Sequence, residues 1–253
     1  MTLSTIRNNP AKQKKVKTKK QKAIAATCAV AFWLLVWHVV SLCVGSELVL
    51  VSPVKVVQTL FTVIFDPDFL KTVWYSAARI LGGFFTALTL GTVLGWVASR
   101  FWVVETLLHP ITAVIKATPV ASFIILVLLW FSGKNLSVII SMLMVFPVIY
   151  MNVLEGIRSA DEKLLEMAQV FRLSVGKKLL YIYLPAVAPF FVSACSVSLG
   201  LCWKSGIAAE VIGTPDGSIG AVFYQAKIFL QTSELLAWTV VVVAVSVAFE
   251  KLF

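Results

Sequence analysis

The chain has 253 residues, of which 59% are hydrophobic and 13% charged, and its mean hydropathy is +0.92. An ordinary soluble domain is about a quarter charged, so the composition excludes a water-exposed globule and points to segments sunk in a bilayer. The net charge of +10 sits largely in one terminal run beside apolar sequence, which argues against nucleic acid as the partner.

Residues 1–22 carry eight of the 22 basic residues. Such a run is usually solvated, and ahead of an apolar segment it is expected to hold the amino terminus in the cytoplasm; contact with anionic lipid headgroups is the second reading. The transmembrane domain is then 23–253. Its first apolar run, Ala23–Val44, exceeds the roughly 7–15 residues of a signal-peptide core and reads as a retained anchor. Ser52-Pro53 is a helix start, proline being tolerated in the first turn. Val54 to Phe65 should lie along the membrane surface, ended by Asp66-Pro67-Asp68.

Between Arg79 and Arg100 no residue is charged. Gly83, Ala87, Gly91 and Gly95 recur every fourth position, a stripe that lets another helix approach closely. Leu107–Phe131 is long enough to span but holds Pro110, Lys116 and Pro119. Pro119 removes one helical hydrogen bond and clashes with the carbonyl four residues back, so the helix should be disturbed near Ile115. Leu136–Leu154 carries Pro147 at its middle, a further uncharged run lies between Lys178 and Lys204, and Leu235–Phe253 ends the chain. The expected fold is all-α: a polytopic bundle of about six membrane helices, continuous apolar runs favouring helices over a barrel.

With the basic tail inside, fifteen basic residues fall on the cytoplasmic side and five on the outer side, as the positive-inside rule requires. Cys28, Cys43, Cys195 and Cys202 lie in apolar runs without a Cys-x-x-Cys pair and read as packing residues. His38 and His109 are isolated, so no ligand set for a metal is expected.

The connection 158–184 is long enough for two short helices. Leu164, Ala168 and Phe171 share a face, Asp161 and Glu162 suit a first turn, Ser174 can cap a second helix at Val175–Tyr183, and Pro185 should begin the next span. Docking of a partner and adhesion to the lipid surface both fit this amphipathic pattern. Glu166, Met167 and Ala168, followed by Ile182, Leu184 and Pro185, resemble the E-A-A-x3-G-x9-I-x-L-P signature of ABC importer permeases. Arg172 stands at the family's glycine position, where a left-handed helix end would cost a non-glycine residue roughly 1 kcal/mol; Gly176 offers a relocated turn. "SPVKVVQTL", "SAARILGGFFTALTLGTVLGW", "PVASFIILVLLWFSGKN" and "LPAVAPFFVSACSVSLGLCWKSGIAAEVIG" extend the resemblance, towards the nitrate/sulfonate/taurine type, over roughly residues 50 to 250.

That resemblance implies a permease subunit of an ATP-driven importer in the cell membrane, which is not an enzyme. Two permease copies, as a homodimer, would form the pathway. An ATPase subunit would dock on the cytoplasmic coupling loop through Glu166, Ala168 and Phe171, and an extracytoplasmic binding protein would deliver a small solute such as a sulfonate, nitrate or a vitamin precursor. No G-x-x-x-x-G-K-[ST] loop occurs here, since Gly133-Lys134-Asn135 and Gly176-Lys177-Lys178 both fail it; this chain carries no cofactor and a separate chain would bind ATP. Lys116, Pro119, Ser122, Trp203, Lys204 and Glu210 are candidates for the translocation path, a charge at membrane depth being a functional candidate by default; Lys204 snorkelling and Trp203 anchoring at the interface are the local alternatives. An ion-coupled carrier acting alone is the competing class, and it would need acidic residues within spans that hold almost none.

Overall fold

A computed structural model describes residues 19–252, with side chains described for residues 24–251. The chain divides at Pro53 into two units. The first contains α1, Lys19–Val44, a 26-residue helix whose Ile24, Val30, Phe32, Trp33, Leu35 and Leu42 are exposed. It ends at Gly45, whose φ of 63° is open to glycine without steric cost.

The second unit opens with α2 (Pro53–Ile64), which buries Val56 and Val63 and leaves Val57 and Phe61 outside. Then come α3 (Phe69–Arg100), α4 (Trp102–Ala117), α5 (Val120–Trp130), α6 (Gly133–Arg158), α7 (Glu162–Val170), α8 (Val175–Lys178), α9 (Leu184–Gly213), α10 (Ile219–Ile228) and α11 (Thr232–Leu252). Among the described residues there is no strand. Five helices are long and apolar enough to cross a membrane, and a sixth crossing exists if α4 and α5, bent by 110° at their junction, are one span. The protein is an all-α polytopic helix bundle.

The break is where proline puts it. Thr118 and Pro119 are extended, with ψ of 133° and 137°, because the residue before proline is pushed out of the helical region. Pro110 and Pro147, by contrast, lie inside unbroken helices. Pro185 stands in the first turn of α9, as expected, but no break precedes it: helical turns run on from Val175 to Gly213. The reason lies one turn earlier. Leu179–Tyr183 forms a π turn, in which the Leu184 N–H donates to the Leu179 carbonyl. That wider turn makes room for the ring that would otherwise strike a carbonyl.

The centre of the unit is α3, α6 and α9. A Cβ added at Gly83 would meet the Val138 carbonyl and Ser141 Cβ, at Gly91 it would lie 3.0 Å from Ile149 Cβ, and at Gly95 it would lie 3.1 Å from the Tyr150 carbonyl. The rising pairs show α3 and α6 side by side and parallel, with the every-fourth-residue stripe as their seam. α9 is antiparallel to both: Gly213 meets Gly133 at the start of α6, and Val187 meets Gly156 near its end. Gly206 completes the crossing, for a Cβ there would lie 2.6 Å from Ile80 Cγ1 and 2.7 Å from Ser141 Oγ, while that hydroxyl donates to the Cys202 carbonyl at 3.2 Å. Such backbone-to-backbone approach is what small residues permit between membrane helices. Around it Ile80, Phe84, Val145, Ile149, Cys195, Leu199 and Trp203 form the main core, joined by Trp238 and Val241 of α11.

Candidate functional site

Three places gather the candidate residues. The first is the hairpin beyond α6. Asp161 caps α7, its carboxylate accepting from the Lys163 N–H at 2.9 Å. Ala168 is fully buried against Ala160 and Ile182, with Leu165, Leu173, Tyr183 and Ala186 around them. Glu166, Met167, Val170 and Phe171 are exposed around it, Phe171 being 71% exposed. Ala168 therefore packs the hairpin from inside, and the outward surface gains Val170, which the sequence reading passed over.

Arg172 holds the turn. Its φ is 50°, its N–H donates to the Gln169 carbonyl at 3.0 Å, and the Leu173 N–H donates to the Ala168 carbonyl at 2.9 Å. This pair of bonds is the Schellman end of a helix, usually made with glycine. The turn has not moved to Gly176, which sits inside α8 with open space around it. Ser174 has the extended backbone of a cap without a side-chain bond. Ile182 is buried in the hairpin, and Leu184 and Pro185 are exposed.

The second place is the elbow between α4 and α5. Ile115, Ile124 and Val127 pack on Leu136, Ile140, Met144 and Ala209. Lys116, beside Ile115, is exposed, with its ammonium 3.2 Å from Met151 Sδ. Pro119 and Ser122 are exposed at the bend. Lys204 is exposed on α9 between Leu201 and Ala208, both packed at the edge of this cluster, so the spacing of three and four puts it on their face. Lys116, Pro119, Ser122 and Lys204 thus border one apolar cluster. Trp203 points the other way: it is 1% exposed, its ring 5.5 Å from that of Phe249, and its Nε1 has no partner among the described residues. It belongs to the core of the bundle and is no interfacial anchor.

The third place holds Glu210, in the last turn of α9 and fully buried. Ser76 of α3 donates to its Oε2 at 2.6 Å, the Gly220 N–H approaches the same oxygen at 3.4 Å, and the Ile219 N–H donates to Ser76 Oγ at 2.9 Å. A carboxylate at the start of α10 meets the unpaired N–H groups and the positive end of that helix. A Cβ at Gly220 would overlap the Glu210 backbone, so glycine lets the two chains touch. Arg79, half-buried, stacks over Tyr75 at 5.1 Å and reaches Ser137 Oγ and Asn135 Oδ1 at 3.4 Å each. Glu210 is thereby set apart from Lys204 and tied to α3 and α10. α10 itself was missed in the sequence, although Pro215-Asp216-Gly217 is turn chemistry and Ser218 caps the helix by accepting from the Ala221 N–H at 3.0 Å.

Among the described residues no group of His, Cys, Asp and Glu could hold a metal ion. Residues 87–250 match the family described as binding-protein-dependent transport system inner membrane component. The chain is 29% identical over 211 residues to the putative aliphatic sulfonates transport permease protein SsuC of Bacillus subtilis, covering 82% of this chain and 76% of that one. It is 27% identical to the taurine transport system permease protein TauC of Escherichia coli (85% and 80% covered) and 25% identical to the nitrate import permease protein NrtB of a Synechocystis species (80% and 76% covered). With its spanning helices and a family match over most of its length, the chain belongs to the binding-protein-dependent inner membrane permeases of ABC importers.

Proposed function

We propose that this permease is driven by a separate ATPase docked on α7 and passes a small oxyanion, a sulfonate or nitrate, along the exposed side of the α4–α5 elbow and α9. The single observation that carries the docking is the division of α7: its small residue Ala168 is sealed inward while Glu166, Met167, Val170 and Phe171 stand exposed together. An apolar and acidic patch on a capped, Schellman-ended helix is a rigid knob of the size a partner groove accepts. In this reading the hairpin and the basic amino-terminal tail face the cytoplasm, an extracytoplasmic binding protein meets the opposite end of the bundle, and a second copy of the chain supplies the other wall of the path. ATP shifts the inward–outward equilibrium only by binding its two states differently.

The names of the relatives support an oxyanion as solute, and the two exposed lysines bordering the elbow supply charge of the right sign.

A photo-cross-linking residue at Phe171, in membranes containing the whole assembly, tests the docking. The expected product joins the permease to an ATPase-sized chain, and Glu166→Lys abolishes both product and transport while the subunit stays in the membrane. A hairpin that cross-links only to lipid, or transport that persists without ATP, would refute the reading.

A further inference from the structure

Arg158 is the last residue of α6, and its guanidinium donates to the Glu105 carboxylate of α4 at 2.6 Å. The two residues are 53 apart in sequence, so the contact joins separate helices. Arg158 stands three residues before Asp161, the cap of α7, and the intervening Ala160 is buried against Ala168 of α7. The end of α6 and the hairpin are thus one packed piece. Glu105 lies in the first turn of α4, where a carboxylate suits the helix dipole.

Beside the ion pair, Val104 and Leu108 pack the same end of α4 against Ala98, Tyr150 and Leu154. Of its 16 residues only Thr112 and Ile115 are buried, both toward its far end. A cavity of about 390 Å³, lined by Trp102, Glu105, Thr106, His109 and Arg158, lies beside its near end. The far end is the extended Thr118-Pro119 elbow, with exposed Lys116 just before it. A helix of this length is a rod of about 24 Å, held at one end by the ion pair together with Val104 and Leu108, and jointed at the other.

We propose that Glu105 and Arg158 are positioning residues that carry movement of the hairpin to the α4–α5 elbow. The proposal rests on the reading that the driving ATPase docks on α7. A half-exposed ion pair contributes little to folding stability, so the pair matters through the direction of force it transmits. Pulling the hairpin pulls Arg158; Arg158 draws the near end of α4 through the open cavity; the rod tilts at its joint, and Lys116 moves relative to Lys204.

Hydrogen–deuterium exchange on the reconstituted permease–ATPase complex, with and without a non-hydrolysable ATP analogue, tests this. In the unchanged chain the nucleotide should alter exchange both in the hairpin, residues 159–174, and at the elbow, residues 114–122. Glu105→Gln and Arg158→Gln should keep the hairpin response and thermal stability but shrink the elbow response by about fivefold or more. The double exchange Glu105→Arg with Arg158→Glu should restore most of it, the remainder being lost because both charges then oppose their helix dipoles. An elbow that responds fully in the single variants, that stays silent in the unchanged chain while the hairpin responds, or that the double exchange fails to restore overturns the tie alone. A hairpin that does not respond in the unchanged chain overturns the docking reading and the tie with it.

Discussion

Gly82 and Gly83 are neighbours with opposite surroundings. A Cβ added at Gly82 meets nothing within 4 Å, whereas at Gly83 it would overlap the Val138 carbonyl and lie 2.8 Å from Ser141 Cβ and 3.1 Å from the Met142 nitrogen. Two of those three atoms are backbone, so no side-chain rotation relieves the contact, and α3 and α6 must separate. Overpacking of this kind costs about 1–3 kcal/mol, while alanine for glycine within a helix stabilises by about 0.5–1 kcal/mol. Gly82→Ala should therefore be neutral or mildly stabilising and Gly83→Ala destabilising, the two differing by about 2 kcal/mol. For a domain of this size that separates their midpoints by on the order of 5 °C. Thermal unfolding of both variants in the same lipid nanodiscs, followed by intrinsic fluorescence, reads the difference. Equal midpoints, or a Gly83→Ala protein more stable than its neighbour, would show that the seam is looser than backbone contact and would refute the packing argument.

Arg172→Gly should stabilise the α7 hairpin by about 1 kcal/mol, because glycine adopts the left-handed conformation without a Cβ penalty; slower exchange of the Leu173 amide checks it. Glu210→Ala should destabilise the protein by at least about 2 kcal/mol through the donors it leaves unpaired at Ser76 and Gly220, and Glu210→Gln by less, since its amide oxygen still accepts; unequal thermal midpoints with faster exchange at the start of α10 are the expected signs. Lys204→Gln, at an exposed position, should leave the midpoint unchanged and weaken uptake of sulfonate or nitrate about tenfold if one charged hydrogen bond to the solute is lost; unaltered uptake of the transported anion removes Lys204 from the path.

How much of this was legible depends on whether one residue suffices to dictate an outcome. Pro119 does, since its ring forbids the helix, and the break falls beside it. The small-residue stripe also does, because the spacing alone defines a face, although only the structure identifies α6 as the partner. Pro147 and Pro110 show the limit of the same rule: a flanking bundle and the membrane preserve a helix that local chemistry disfavours. Pro185 does mark the first turn of α9, but the π turn that joins it to α8 without a break leaves no mark in composition. Residues 162–172 announced a hairpin but not its sidedness, for the face carrying Ala168 is chosen by Ala160 and Ile182. Trp203 and Lys204 are adjacent in sequence and point apart, and only the position of α11 decides which one is buried. Glu210 resisted reading most, since its partners Ser76 and Gly220 lie 134 and 10 residues away.

The crossing of Gly83, Ser141 and Gly206 also bears on how such a subunit diversifies. Where main chains touch, only the smallest side chains are admissible, and these positions are frozen whatever the cargo. Ser193, Ser196, Gly200 and Lys204 on the outer side of α9, by contrast, border open space or are half-exposed or exposed, and can be exchanged without moving that junction. Under the proposed path along α9, selectivity can then drift on one surface of a helix whose other surface keeps the architecture constant.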